Sequence, residues 1–216
     1  MLFRSEKTKY YICYQMELEE ALRIMIEKLE EAGIADDTVI AMVGDHYPYG
    51  LGRGEAWGND RNYISDLIKG DATVPYEQDR SGLIIWSGCL ENEYADLPKT
   101  VEEPVFSLDV LPTLSNLFGL TYDSRLLAGR DALSDEEPLV FWNNLSWVTK
   151  DAKYDARHGT YTHAEDLKEP QEYRKRIDEK VKNKILLSRT IIDTDYYGLL
   201  FGPDDVIRAG DTLYQK

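Results

Sequence analysis

Basic residues, cysteines and long apolar runs are all scarce in this chain of 216 residues. It has 25 Lys and Arg against 40 Asp and Glu, for a formal net charge of −15. This excess of negative charge argues against a surface that binds nucleic acid. Two cysteines do not make a disulfide scaffold, so we expect Cys13 and Cys89 to be buried as small apolar residues.

Signals for export and for membrane insertion are also missing. The first residues lead into charged sequence without a signal-peptide pattern. No stretch has the apolar length that a membrane helix needs. We therefore expect the chain to be soluble.

Several familiar catalytic motifs are absent. The chain has no G-x-S-x-G and no H-E-x-x-H sequence. The glycine-rich stretch at residues 50–54 lacks the G-x-G-x-x-G spacing and the Lys-Ser/Thr pair of a phosphate-binding loop. We interpret it as a mobile loop beside a site. Neither cysteine has the flanking pattern of a nucleophile, so no convincing nucleophile is visible.

The first 128 residues show the alternation of an α/β domain. Apolar residues at three- and four-residue spacing predict a helix over residues 6–32, and an apolar run predicts a strand over 38–43. Glycines and Pro48 predict a long loop over 47–80, with a short helix near 61–69. A buried strand is expected at 83–86, and a short helix begins at Ser107 or Asp109.

Residues 129–216 are predicted to form a small α+β subdomain. Candidate strands at 138–142, 146–149 and 159–162 suggest a small antiparallel sheet. A terminal helix begins near Glu169, with Pro170 in its first turn. Its apolar stripe is Tyr173, Ile177, Val181, Ile185 and Ile192.

The most informative residues follow the first strand directly, in the sequence Val43-Gly44-Asp45-His46-Tyr47. The crevice beyond strand ends is the usual ligand site of α/β proteins. A carboxylate and an imidazole can bind a divalent cation such as Mn²⁺, Zn²⁺ or Mg²⁺. In the alternative interpretation, Asp45 caps a turn and His46 is a hydrogen-bonding residue.

Two arginines of the long loop, Arg53 and Arg61, are candidates for binding an anionic substrate. The remaining histidines, His158 and His163, have no cysteine or close acidic pattern around them. We interpret both as surface or turn residues.

Taken in order, four segments resemble a known family. They are DDTVIAMVGDHY (36–47), RSGLIIWSG (80–88), PVFSLDVLPTLSNLFGL (104–120) and LAGRDALSDEEPLVF (127–141). This order resembles the C-terminal half of the sulfatase-like domain of lipoteichoic acid synthases and related phosphoglycerol transferases, in the alkaline phosphatase superfamily. The resemblance covers about residues 10–200, and GDHY and S-x-D-x-x-P-T are its most specific pieces.

The resemblance implies a fold and a chemistry. The fold is α/β, a partial alkaline phosphatase/sulfatase-like sheet flanked by helices, followed by a small antiparallel β-sheet with a C-terminal helix. The family carries one divalent cation, with Mn or Mg favoured over Zn or Ca here. Asp45 and His46 inherit the role of metal ligands. A threonine attacks a phosphodiester to form a glycerophospho-enzyme, and the segment from Ser107 to Thr113 is structural.

Departures from the family pattern define what this chain lacks. The family's threonine, its glutamate ligand and a substrate-binding histidine all lie well upstream of GDH, and only 44 residues precede Asp45 here. Glu19 stands where an aspartate is usual, and Gly82 where a proline often precedes the strand. We expect a fragment that holds its cation weakly with two ligands and is inactive alone.

The expected partners follow from that interpretation. They are the missing N-terminal half of the catalytic domain and an anionic glycerophospholipid or a sulfate or phosphate ester, with no nucleic acid. An exposed sheet edge also predicts self-association. By resemblance, the parent protein is membrane-anchored with its catalytic domain outside the cytoplasmic membrane.

Two alternatives stay open. One is a fragment of a sulfatase or phosphate-ester hydrolase of the same superfamily, and the other is a non-catalytic interaction module that keeps the fold. Tyr47 favours the phosphoglycerol transferases, since arylsulfatases more often have glycine after the histidine.

Overall fold

The fold is taken from a computed structural model, which describes residues 3, 5–51, 63–70, 76–77, 79–93 and 100–202. The chain divides into two compact units, Met1–Thr100 and Val101–Lys216. The boundary predicted between residues 128 and 129 is a different division, and it stays a prediction. The expected α/β class, with a small antiparallel sheet and C-terminal helices after the first domain, is confirmed.

The first unit contains four helices or strands that the sequence predicts. Helix α1 spans Glu6–Glu31, strand β1 Val39–Val43, helix α2 Tyr63–Ile68 and strand β2 Leu83–Ser87. A short helix, α3 (Gly88–Glu93), follows β2 without a sequence prediction. Buried Thr8 of α1 donates to the carbonyl of Tyr63 (3.3 Å), and the amide of Ser5 donates to Asp66 (2.9 Å), so the start of α1 is fixed to α2.

Strands β1 and β2 pair antiparallel, from Val39 opposite Ser87 to Val43 opposite Leu83. Both strands are apolar on both faces, a composition typical of strands that are covered on each side. Yet Ile84 is 54% exposed, and Val39 and Val43 are also exposed. The prediction that 83–86 is a buried strand is therefore wrong, because Ile84 is exposed and the other three residues are only half-buried.

Helix α1 likewise leaves much of its predicted apolar stripe in water. Tyr11, Leu22, Ile26 and Leu29 are half-buried, whereas Tyr14, Leu18 and Met25 are exposed. Periodicity identified the apolar face correctly, but the described residues of the first unit do not cover all of it. Cys13 on the same helix is exposed and Cys89 half-buried, so the expectation that both cysteines are buried is wrong.

The second unit begins with helix α4 and continues into a four-stranded antiparallel meander. Helix α4 spans Val110–Leu117, after one turn of 3₁₀ helix at Ser107–Asp109. The strands follow in chain order within the sheet: β3 Val140–Phe141, β4 Trp147–Val148, β5 Ala152–Asp155 and β6 Thr160–His163. Three of the four coincide with predicted strands, while β5 was missed.

Helices α5 (Pro170–Asp193) and α6 (Tyr196–Phe201) end the described chain. The predicted stripe of α5 packs on the meander through Ile177 and Val181, which join buried Leu139, Trp147 and Ala152. The indole N–H of Trp147 donates to Asp178 (2.7 Å), so this buried ring keeps a hydrogen-bond partner. Ile192 is 76% exposed, so the stripe stops short of its last predicted member.

The S-x-D-x-x-P-T segment holds the chain at residues 129–132 in place. Asp109 is 1% exposed and accepts the amide hydrogens of Phe106 (3.1 Å) and Arg130 (2.8 Å). Thr113 accepts the amide hydrogen of Ala132 (2.9 Å) and donates to the carbonyl of Asp109 (2.6 Å). The segment therefore has a structural role within the second unit. Its expected packing against a sheet behind the site stays a prediction.

Burial works against the charge of Asp109. It raises the pKa of this carboxyl, although the amides of Arg130 and Phe106 pull the pKa back. The two backbone hydrogen bonds therefore offset part of the cost of burying this carboxyl.

None of the helices that the structure describes is both long and apolar enough to cross a bilayer.

Candidate metal site at the end of strand β1

The site begins where β1 ends. Gly44 follows the strand and passes so close to Ser81 that a Cβ at position 44 would collide with the Ser81 side chain. Glycine is therefore the residue that lets the chain leave the strand beside the start of β2. Asp45 and His46 come next, at the strand end where the sequence places them.

The two side chains point towards each other. Nε2 of His46 lies 3.6 Å from Oδ2 of Asp45, with His46 44% and Asp45 87% exposed. Bonds from nitrogen or oxygen to Zn²⁺ or Mg²⁺ are about 2.1 Å long, so one ion can reach two donors up to about 4.2 Å apart. The pair fits a divalent cation by distance and by chemistry, and both donors are open to solvent.

A hydrogen bond to the backbone determines which ring nitrogen of His46 carries the proton. Its Nδ1 lies 2.7 Å from the carbonyl oxygen of Tyr47. A carbonyl oxygen only accepts, so the hydrogen bond requires a proton on Nδ1 and leaves the lone pair of the neutral ring on Nε2. Nε2 is the atom that faces Asp45. Metal-binding histidines are commonly oriented by such a hydrogen bond on their second nitrogen.

Two tyrosines complete the surroundings of His46. The ring of Tyr49 stacks on the imidazole, with centroids 4.0 Å apart and planes 7° apart. Tyr47 meets Tyr49 edge-on at 4.8 Å and packs against a small core formed by Leu51 and Ile64. Sequence reasoning missed Tyr49, and its only signal was the Tyr-Pro-Tyr run directly after the histidine.

The donor set is incomplete within the described part of the chain. No group of three or more His, Cys, Asp or Glu side chains that could hold a metal occurs there. Arg53 and Arg61, predicted to contact an anionic substrate, lie outside the described residues. Asp45 and His46 thus stay a predicted pair of ligands, to which further donors must be added.

The other histidines form local pairs in the second unit. Nδ1 of His158 lies 2.6 Å from Oδ2 of Asp155, and this contact lowers the pKa of the Asp155 carboxyl. Nδ1 of His163 lies 2.8 Å from the carbonyl oxygen of Ala164. His158 lies in the turn after β5 and His163 is the last residue of β6, and both are exposed, as expected of surface or turn residues.

The second unit also contains a polar cavity of about 10 Å³, room for roughly one water molecule. Three acidic and three basic side chains line it, so their formal charges balance. Burial lowers the pKa of Lys184, which donates to the carbonyl of Ala128 (2.6 Å). The cavity is too small to hold a substrate. The lining residues are Asp109, Ala128, Arg130, Glu136, Glu137, Leu139, Lys180 and Lys184.

Comparison with known proteins gives one family and a consistent set of relatives. The family model described as Sulfatase matches residues 9–120. The lipoteichoic acid synthase of Staphylococcus saprophyticus is 28% identical over 215 residues, which is 95% of this chain and 30% of that protein. The lipoteichoic acid synthase-like YvgJ of Bacillus subtilis is 25% identical, over 82% of this chain and 28% of its own length. The lipoteichoic acid synthase of Staphylococcus aureus is 27% identical, over 90% of this chain and 29% of that protein.

This chain therefore spans about 30% of the length of the curated relatives it matches. The matched family region contains β1, β2 and the Asp45–His46 pair.

Proposed function

Since the chain belongs to the sulfatase family, as a lipoteichoic acid synthase-like member, we propose that it supplies two ligands to the divalent-cation site of a phosphoglycerol transferase. Asp45 and His46 are those ligands. The observation that carries the proposal is the 3.6 Å approach of His46 Nε2 to Asp45 Oδ2, with the proton of the ring held on the opposite nitrogen.

Each residue has a defined task in this proposal. Asp45 brings negative charge and an oxygen donor, and His46 brings a neutral nitrogen donor. The family resemblance favours Mn²⁺ or Mg²⁺ over Zn²⁺ or Ca²⁺, and a carboxylate oxygen is a suitable donor for both favoured ions. When bound, the cation supplies charge stabilisation at the phosphoryl group and lowers the pKa of a hydroxyl nucleophile.

Two ligands leave most of a cation's coordination positions unfixed, so this chain alone is expected to bind the ion weakly and to show no turnover. We propose that the threonine nucleophile and the remaining ligands come from the N-terminal half of the catalytic domain. The short span relative to its relatives supports this division. So do the exposed apolar side chains of β1, β2 and α1, which a further domain half would cover.

The proposed substrate is an anionic glycerophospholipid, whose head group is transferred. Similarity to lipoteichoic acid synthases favours this substrate over a sulfate or phosphate ester, which is the second candidate. Arg53 and Arg61 would contact the anionic group. We also propose that the working domain lies outside the cytoplasmic membrane in a membrane-anchored parent protein, a proposal that the lipid substrate and the family resemblance support.

Co-production of the full chain with the upstream part of the catalytic domain of the Staphylococcus saprophyticus relative tests the proposal. We expect Mn²⁺-dependent release of the glycerophospholipid head group. In Asp45→Ala the rate should fall by at least about 100-fold, because loss of a residue that merely orients a metal ligand already costs about 10- to 100-fold. Asp37→Ala is the matched control, because Asp37 is exposed and precedes the opposite end of β1.

The alternatives give different results. Turnover of a sulfate or phosphate ester without transfer to glycerol would favour a hydrolase. An interaction module would be favoured if this chain bound the upstream part without any metal, and if Asp45→Ala left that binding unchanged. Self-association through the edge of β1 or β2 would appear as dimers that the upstream part displaces.

A further inference from the structure

We infer that Tyr49 is a positioning residue, whose ring, together with the carbonyl of Tyr47, fixes the orientation and tautomer of the His46 imidazole. The inference rests on the proposed role of His46 as a ligand and adds the residues that aim it. Three contacts carry it: the 4.0 Å stack of Tyr49 on His46, the 2.7 Å hydrogen bond to Tyr47, and the edge-on packing of Tyr47 on Tyr49.

His46 needs such contacts because it is 44% exposed. Exposed side chains change rotamer within picoseconds to nanoseconds. The hydrogen bond to Tyr47 fixes one ring atom, but it leaves the ring free to tilt about that atom. Parallel stacking on Tyr49 fixes the plane of the ring. Together the two contacts keep Nε2 directed at Asp45.

The two tyrosines are themselves held by the core of the first unit. Tyr47 packs on buried Leu51 and Ile64. Pro48 restricts the residue before it to extended backbone, which limits how the Tyr47 carbonyl can turn. The turn Tyr49–Leu51 is closed by the amide of Leu51 donating to the carbonyl of Pro48 (2.9 Å). Buried Leu51, at the end of the same turn, therefore fixes the position of Tyr49.

Within the part of the chain that the structure describes, Tyr49 has little other structural reason to be aromatic. Its side chain is 63% exposed, so its removal costs little core packing. Among the described residues, the rings close to that of Tyr49 are those of His46 and Tyr47. The large ring at this exposed position is explained by the imidazole that it covers.

The tautomer of His46 in the ¹⁵N-labelled full chain tests the inference without any metal. Long-range ¹⁵N–¹H spectra at about pH 8, above the ordinary histidine pKa of about 6.5, show which ring nitrogen carries the proton. We expect the proton on Nδ1 in the wild type and in Tyr49→Phe, which keeps the stack. In Tyr49→Leu, the preference for Nδ1 should fall by roughly two- to tenfold, as expected for loss of one aromatic pair.

Titration with Mn²⁺ is the second measurement, read as paramagnetic broadening of the His46 ring signals, which detects weak binding. The apparent dissociation constant should rise by roughly two- to tenfold in Tyr49→Leu and stay unchanged in Tyr49→Phe. His158 and His163 are internal controls, because they are the other two histidines and lie in the second unit. Their response to Mn²⁺ should be the same in the wild type and in both variants.

The two measurements fail independently. A proton on Nε2 of His46 in the wild type, or a tautomer that Tyr49→Leu leaves unchanged, would overturn the positioning role. Equal effects of Tyr49→Phe and Tyr49→Leu would overturn it too, because the phenyl ring still stacks. Absence of Mn²⁺ broadening at His46 in the wild type would instead overturn the proposed metal site and leave the tautomer result standing.

Discussion

Thr113→Val removes one hydroxyl from the contact between the S-x-D-x-x-P-T segment and residues 129–132, with almost no change of shape. Thr113 is 1% exposed, and its Oγ1 is the acceptor for the amide of Ala132 at 2.9 Å. Ala132 is itself buried, so water cannot easily replace the lost acceptor. The variant isolates the contribution of this hydroxyl.

The magnitude follows from two opposing effects. A buried amide left without an acceptor costs about 1–3 kcal/mol, and the hydroxyl also loses its bond to the Asp109 carbonyl (2.6 Å). The added methyl group returns up to about 0.8 kcal/mol through apolar burial. We expect the free energy of unfolding of the second unit to fall by about 1–2 kcal/mol, which lowers its Tm by roughly 3–10 °C.

Thermal unfolding by circular dichroism at pH 7 measures the change, and hydrogen exchange of the Ala132 amide localises it. Thr162→Val is the matched control, because Thr162 is exposed on strand β6 and the same substitution there should stay within about 0.5 kcal/mol of wild type. The reasoning is refuted if both variants unfold at the same temperature, or if exchange at Ala132 is not accelerated in Thr113→Val.

Two further predictions concern the second unit. In Gly129→Ala the new Cβ meets the backbone carbonyl of Leu108, which cannot rotate away, so we expect a loss above about 3 kcal/mol in the same unfolding assay; a loss no larger than that of Thr113→Val contradicts this. Arg176, through two hydrogen bonds of 2.7 and 2.8 Å, holds the pKa of Glu137 below its ordinary value of 4.5. Ionised Glu137 therefore stabilises the fold above pH 4.5, and this contribution is lost as the pH falls through the lowered pKa. In Glu137→Gln, the free energy of unfolding should depend less steeply on pH in this acid range. An unchanged slope would contradict the assignment.

The sequence predicted most elements because their signals are local. The strand before Asp45 is an apolar run that ends at a glycine, and α5 has a regular stripe with proline in its first turn. Strand β5 was missed because Ala152-Lys153-Tyr154-Asp155 has no β-branched residue and only four positions. Its place is set by pairing with β4 and β6, which no local pattern records.

The candidate site was predictable in part. Adjacent donor residues after a strand are visible in sequence, so Asp45 and His46 could be named. The stack of Tyr49 depends on how the turn after Pro48 folds back, and this is a property of the loop geometry. The exposure of Leu18 and Ile84 was equally out of reach, since periodicity shows which face is apolar but not what covers it.

The uncovered strands of the first unit also tie its stability to its surroundings. Val39 and Val43 lie on one face of the β1–β2 pair and Ile84 on the other, and these exposed side chains are arranged as surfaces only while the two strands are folded and paired. A molecule that covers them binds the folded strands and not the unfolded chain, so it raises the melting temperature by mass action. The melting temperature of the first unit should then rise with the concentration of the molecule that binds there. The second unit, by contrast, has a buried core of its own around Trp147.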